Sequence, residues 1–122
     1  MKLRTFRIGD PPRKQDGLRI APTRLPPRGI RKAQWHRYFD VWLPALAPSA
    51  ALFARAKRLV ATDAGWRQYA RAYTREMSRT EPRQTIALLA AFARLTPIAI
   101  GCYCEDESRC HRSILRRLIE KS

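Results

Sequence analysis

The sequence predicts a single α/β domain over residues 1–122, with a small, mainly parallel sheet and helices packed around it. Three observations lead there. Short apolar alternations lie near the N-terminus, segments of helical periodicity fill the middle, and a compact apolar run near residue 100 passes at once into another helical pattern. Strands that alternate with helices favour parallel pairing, because a parallel crossover needs a dozen or more residues. A chain of 122 residues, 45% of them hydrophobic, can build one hydrophobic core but not two.

The elements follow in chain order. Leu3, Phe6 and Ile8, and then Leu18 and Ile20, mark two short strands within Lys2 to Ile8 and Gly17 to Arg24. Between them, Asp10 to Gly17 reads as a loop without regular structure, since paired prolines remove backbone donors and Asp-Gly favours a turn. After the second strand, Pro22, Pro26, Pro27 and Gly29 stiffen a segment that carries Arg24, Arg28, Arg31 and Lys32. That loop reads equally as an anion clamp and as a solvated connector. The run Trp35 to Leu43 gathers four aromatics around His36 and Asp40. Such a His is ordinarily a hydrogen-bonded structural residue. Asp40, beside so much apolar surface, must find partners for its oxygens or shift its pKa.

Three helices come next. Leu52, Phe53, Ala56, Leu59 and Val60 share one helical face, with Ser49 placed to cap the start. Trp66, Tyr69, Ala70, Tyr73 and Met77 repeat at three- and four-residue intervals, an aromatic stripe that reads as core. A third helix, about Glu81 to Leu95, is apolar nearly all round through Ile86, Leu88, Leu89 and Phe92, so it is expected to be well buried.

Composition limits the function classes. No stretch is long and apolar enough for a membrane span, and Met1-Lys2-Leu3-Arg4 does not open a secretory signal, so the chain is expected to be cytoplasmic. A net charge of +15 favours contact with polyanions. No zinc-finger spacing, RNA-binding aromatic signature or basic zipper accompanies it. All three cysteines, Cys102, Cys104 and Cys110, lie within nine positions, unlike the spread of a disulfide scaffold.

The informative segment follows Thr96-Pro97. Ile98 to Cys104 reads as a strand, Glu105 to Arg109 as a polar loop, and Cys110-His111-Arg112-Ser113 as the start of a helix carrying Ile114, Leu115, Leu118 and Ile119. Ligands of open α/β sheets gather beyond the carboxyl ends of strands, where a following helix offers free N–H groups. A thiol there, near Arg109, Arg112 and His111, is expected to carry more thiolate than a free cysteine. Three readings compete. Cys104 or Cys110 acts as a nucleophilic or redox thiol with His111 as base. Alternatively, Arg112, Ser113 and the helix N-terminus receive a phosphate, with the cysteines as strand and cap residues. In the third, Cys102, Cys104, Cys110 and His111 hold zinc, which is not favoured because Cys110 and His111, adjacent on a helix, would point in different directions. The phosphatase spacing of Cys and Arg six positions on is absent, since six residues beyond Cys102 is Ser108 and beyond Cys104 is Cys110. For Cys102 the favoured reading is a small buried strand residue.

The run Gly101-Cys102-Tyr103-Cys104-Glu105-Asp106, with Arg109-Cys110-His111-Arg112-Ser113, resembles the C-terminal signature of the domain of unknown function 488 family, the YeaO-like proteins. The resemblance extends upstream to Arg24, Pro27, Arg28 and Gly29, and to Asp40, Leu43, Ala47, Pro48 and Ser49, so it covers nearly the whole chain. It implies a compact α/β fold and no particular activity. Members can lack these cysteines, so a cysteine-dependent role belongs to a subset. Pro22-Thr23 stands where the family pattern has an apolar residue and an acid, which removes a carboxylate from the basic loop.

The basic loop and the cysteine loop are expected to converge on one site. The leading expectation is an enzyme or ligand-binding protein acting on a phosphorylated or nucleic-acid-related substrate. Arg24, Arg28, Arg112 and Ser113 would bind the anion, Cys104, Cys110 and His111 would react, and Asp40 would orient them. The alternative is a basic nucleic-acid-associated module whose cysteines are structural or hold a metal.

Overall fold

The computed structural model describes residues 1–122. Four parallel strands, β1 (Leu3–Arg7), β2 (Leu18–Ala21), β3 (Val41–Trp42) and β4 (Ile98–Cys102), stand in the order β1-β4-β2-β3. The helices are α1 (Ala50–Leu59), α2 (Asp63–Met77), α3 (Thr80–Leu95) and α4 (His111–Glu120). None is long and apolar enough to cross a membrane. The α/β class and the parallel sheet are as the sequence predicts.

β4 lies between β1 and β2, and all five of its residues are buried. Side-chain alternation divides the core into two clusters. Leu3, Ile20, Ile98 and Ile100 join apolar side chains from all four helices in the larger one. Phe6, Ile8, Ala21 and Ala99 pack with Phe39, flanked by Trp35, Tyr38 and Trp42, in the smaller one. The helices therefore cover one face of the sheet, and the aromatic segment before and within β3 covers the other. That segment also anchors the basic loop: the indole N–H of Trp42 donates to Thr23 O at 2.9 Å and that of Trp35 to Ile30 O at 3.1 Å.

Small residues permit close approach on the second face. A Cβ at Gly101 would lie 2.4–2.7 Å from Phe6 ring atoms, and the guanidinium of Arg19 sits 4.3 Å over that ring. Ser49 caps α1 as expected, accepting from Leu52 N at 3.2 Å. The Glu76 carboxylate of α2 in turn accepts from Ser49 N and Oγ, which fixes the start of α1 and the direction of its Phe53 and Ala56. Tyr73, fully buried, donates to Leu46 O at 2.7 Å.

Two expectations need correction. The segment Asp10 to Gly17 is not devoid of structure: Lys14–Asp16 form a 3-10 turn, and buried Asp16 faces Arg4 and Arg19 at 3.5 and 3.6 Å. An acid flanked by two strand arginines orders the turn despite Pro11 and Pro12. Nor is α3 buried all round. Ile86, Leu89, Ala90 and Ala93 face the core, but Leu88, Phe92 and Leu95 are exposed, because one helix layer on one sheet face covers only one side of each helix.

Candidate functional site

The register of the sheet builds the site. Ile20 pairs with Ile100 across β2 and β4, so Pro22 and Cys102, each two residues further, leave the same carboxyl edge side by side. The basic loop begins at one of these exits and the cysteine loop at the other. They do converge: Thr23, Arg24, Leu25, Pro26 and Arg28 line a cavity of about 430 Å³ together with Cys102, Tyr103, Cys104 and His111. Pro48, Phe53 and Ala56 from the start of α1, and Tyr69 of α2, complete the wall.

At the base, the sulfurs of Cys102 and Cys104 are 3.6 Å apart, and Nδ1 of His111 lies 3.9 Å from Sγ of both Cys102 and Cys110. Sγ of Cys102, Sγ of Cys110 and a ring nitrogen of His111 all lie within 4.8 Å of one another. The expectation that Cys110 and His111 diverge fails for a definable reason. Cys110 is not helical but caps α4 in an extended conformation, φ −126° and ψ 146°, which turns its thiol inward beside His111. All three cysteines are unpaired thiols.

His111 is a buried ring whose Nε2 is 2.7 Å from Pro22 O. A carbonyl only accepts, so Nε2 carries the proton and Nδ1 presents its lone pair to the thiols. Burial pushes the His111 pKa down, opposed by the bond to Pro22. The imidazole is thereby held neutral. Among the thiols, Cys102 is held well below the ordinary range, first by hydrogen bonds from the Cys104 and Cys110 thiols and also by the Arg112 charge. Cys104 and Cys110 are pushed up because their protons are the ones shared with Cys102. The cluster thus favours one thiolate, on Cys102, with two S–H donors facing it.

The remaining residues singled out from the sequence divide sharply. Arg24 and Arg28 line the cavity and enter none of the five ion pairs. No acidic side chain lines it. Arg112, expected at the anion, is buried instead and donates through Nη1 to Phe6 O at 2.9 Å and Cys102 O at 3.1 Å. It joins the ends of β1 and β4. Ser113 is turned back onto Cys110 O, 2.8 Å from its Oγ, so its hydroxyl proton is already committed. Arg109 donates to Val60 O and to Asp63, holding the loop to the corner between α1 and α2 rather than lowering a thiol. Asp40 is remote from the cavity: its carboxylate accepts from Arg19 N at 2.8 Å while its own N–H donates to Arg19 O, an arrangement that aligns β3 with β2. His36 is exposed against Ala33 O.

The loop acids also find partners away from the thiols. Glu105 pairs with Arg7, Glu107 accepts from Thr5, and Asp106 accepts from Ser108 N and Oγ. Cys110, buried, does not line the cavity, whereas Cys102 does. Sequence reasoning ranked these two the other way. The missed signal is parity: Ile98, Ile100 and Cys102 alternate onto the helix-covered face. Tyr69 and Phe53, read as helix-face residues, are cavity residues as well.

A family model described as the active DUF488-N3 subclade matches residues 3–122. No curated protein and no solved structure gives a match.

Proposed function

This chain belongs to the DUF488 family, and from that premise we propose that it is a thiol-dependent enzyme acting on an anionic, phosphate-bearing ligand. Cys102 is the reacting sulfur, Arg24 and Arg28 bind the anion, and neutral His111 exchanges a proton with the neighbouring thiols through Nδ1. One observation carries the reading: a thiolate-favouring cysteine and two arginines without carboxylate partners line one cavity from which acids are absent. An anion entering there meets two arginines that have no carboxylate partners, beside a sulfur whose neighbours favour its thiolate. The description of the matching subclade as active agrees with a chemical rather than a purely structural role.

The test is labelling of each cysteine by iodoacetamide, read by mass spectrometry across pH 6 to 8 with and without inorganic phosphate. An ordinary thiol of pKa about 8.5 labels roughly tenfold faster per pH unit over this range. Cys102 should label at a rate nearly independent of pH, phosphate should protect it, and the Arg24→Ala/Arg28→Ala double variant should lose the protection. A steep pH dependence at Cys102 defeats the thiolate, and unaltered protection in the double variant defeats the anion site.

A second reading rests on the inner cluster. Zinc–sulfur bonds of about 2.3 Å at tetrahedral angles place sulfurs about 3.8 Å apart, and Sγ of Cys102, Sγ of Cys110 and a ring nitrogen of His111 lie within 4.8 Å of one another. A His whose other nitrogen is tied to a backbone carbonyl is the usual form of a metal-binding imidazole. Cys102, Cys110 and His111 would be the ligands, with Cys104 beside them. The structural or metal-holding role of the cysteines follows if the protein purifies with one zinc and its thiols label only after chelation.

A further inference from the structure

The walls of the cavity carry information about the rest of the ligand. Leu25, Phe53 and Tyr103, 43%, 47% and 39% exposed, are three of the chain's nine large apolar side chains open to solvent, and these three gather on this one cavity. Monomeric domains rarely leave such groups together on a surface without a partner for them. Packing explains Phe53 poorly: α1 buries Leu52 and Leu59 on its core face, while Phe53 stands at the opening. Arg24 and Arg28 are the cationic side chains of the lining, and no carboxylate joins them. A partner that fits must combine a flat apolar body with an anionic end.

We propose that the cavity takes one nucleotide unit, the base against Phe53, Tyr103 and Leu25 and the phosphate at Arg24 and Arg28. The proposal rests on the anion-site reading above but not on thiolate chemistry. A cavity of about 430 Å³ falls at the smaller end of the roughly 300–1,000 Å³ typical of small-ligand pockets, adequate for a base with its sugar and phosphate and too small for a duplex. Aromatic rings accept any base by stacking, and arginine suits phosphate through its planar fork of donors. An acyl chain would satisfy the apolar wall equally, but it has no use for two aromatic rims, and the chain's net charge of +15 favours a ligand that repeats its negative charge.

The distinguishing experiment uses the full chain and turns on two aromatic variants that leave charge unchanged, because a protein this basic binds any polyanion. Fluorescence anisotropy compares a short single-stranded oligonucleotide with an abasic strand of equal length and charge, at several salt concentrations. The oligonucleotide should bind more tightly than the abasic strand. Phe53→Ala and Tyr103→Ala should each weaken oligonucleotide binding about tenfold and leave the abasic strand unaffected. Arg24→Ala/Arg28→Ala should weaken both. Both aromatic side chains are substantially exposed, so their removal is expected to leave the fold intact, and a thermal melt of each variant checks this. Competition by a free mononucleotide identifies the source: displacement at comparable concentration marks a free nucleotide as the ligand, and its failure marks a nucleotide within a strand. Equal binding of the two strands, with both aromatic variants silent, overturns the nucleotide proposal. If phosphate still protects Cys102 in that case, the anion site stands alone. If neither phosphate nor oligonucleotide protects Cys102, the anion site falls as well.

Discussion

Arg112→Met removes the guanidinium that ties the ends of β1 and β4 to the start of α4. Nη1 of Arg112 donates to Phe6 O at 2.9 Å and Cys102 O at 3.1 Å from a buried position. Hydrogen bonds from a charged donor contribute about 1.5–3 kcal/mol each. Against them stands the cost of burying a cation, and Nε of Arg112 has no partner to offset its share. Each carbonyl keeps a backbone bond, Cys102 O from Ile8 N at 2.9 Å and Phe6 O within the β1–β4 ladder where Arg7 faces Cys102, so Met leaves neither carbonyl without a donor. The balance is a loss of about 2–4 kcal/mol in unfolding free energy, which lowers the melting temperature of a domain this size by about 10 °C. Arg112→Lys keeps the charge without the fork and should lose about half as much. A second readout separates charge from packing. Arg112 is the weakest of the influences that lower the Cys102 pKa, behind the Cys104 and Cys110 hydrogen bonds. The pH profile of Cys102 labelling should therefore move upward slightly in Arg112→Met, not at all in Arg112→Lys, and furthest in Cys104→Ala. A Met variant that melts with the parent would refute the assignment of Arg112 to the strand carbonyls and return it to the anion.

His111 sets a pH dependence of stability in the metal-free protein. Burial depresses its folded pKa below the ordinary value of about 6.5, so its contribution is full above pH 6.5, falls as the unfolded chain takes up a proton below it, and levels off beneath the folded pKa. Chemical denaturation from pH 8 to 5 should show this decline in the parent and a flatter curve in His111→Gln. An unchanged slope would place the pH sensitivity elsewhere. At Gly101, alanine must displace the Phe6 ring that its Cβ would meet at 2.4 Å. Gly101→Ala should cost about 1–3 kcal/mol, and combining it with Phe6→Leu should cost less than the sum. Strict additivity in that double-mutant cycle would mean that the two sites do not touch.

Much of this architecture was legible before any coordinates, and the gaps have physical causes. The strands around Phe6, Ile20 and Ile100 and the helices around Leu52, Tyr73 and Leu115 betray themselves by periodicity. β3 does not, because two residues hold no period and Val41–Trp42 is an edge pairing aligned by Asp40 and Arg19. The placement of the last strand between the first two leaves no local trace, since neighbours in a parallel sheet need not be neighbours in sequence. The meeting of residues 22–28 with residues 102–111 was inferable from strand polarity alone, as parallel strands end on one edge. Which groups face the cavity was not. Arg112 and Ser113 look like a phosphate cradle when read as the first turn of a helix, and only the proximity of Phe6 O and Cys110 O reveals their engagement. Cys110 reads from the sequence as part of the helix beside His111, yet it is the extended cap that precedes the helix, and that conformation turns its thiol into the core.

The central position of β4 has a consequence for how the molecule comes into being. β1 and β2 are made before β4 but have no ladder between them, and the strand that joins them follows only after three helices. Until residues 98–102 emerge, the nascent polypeptide exposes two strand edges and the apolar faces of three helices, with no closed core to bury them. Synthesis at about 5–20 residues per second keeps that interval to seconds, during which its affinity for chaperones should be greatest. A frameshift or premature stop before Ile98 would release no smaller working version of this protein, only a chain with nothing to fold around.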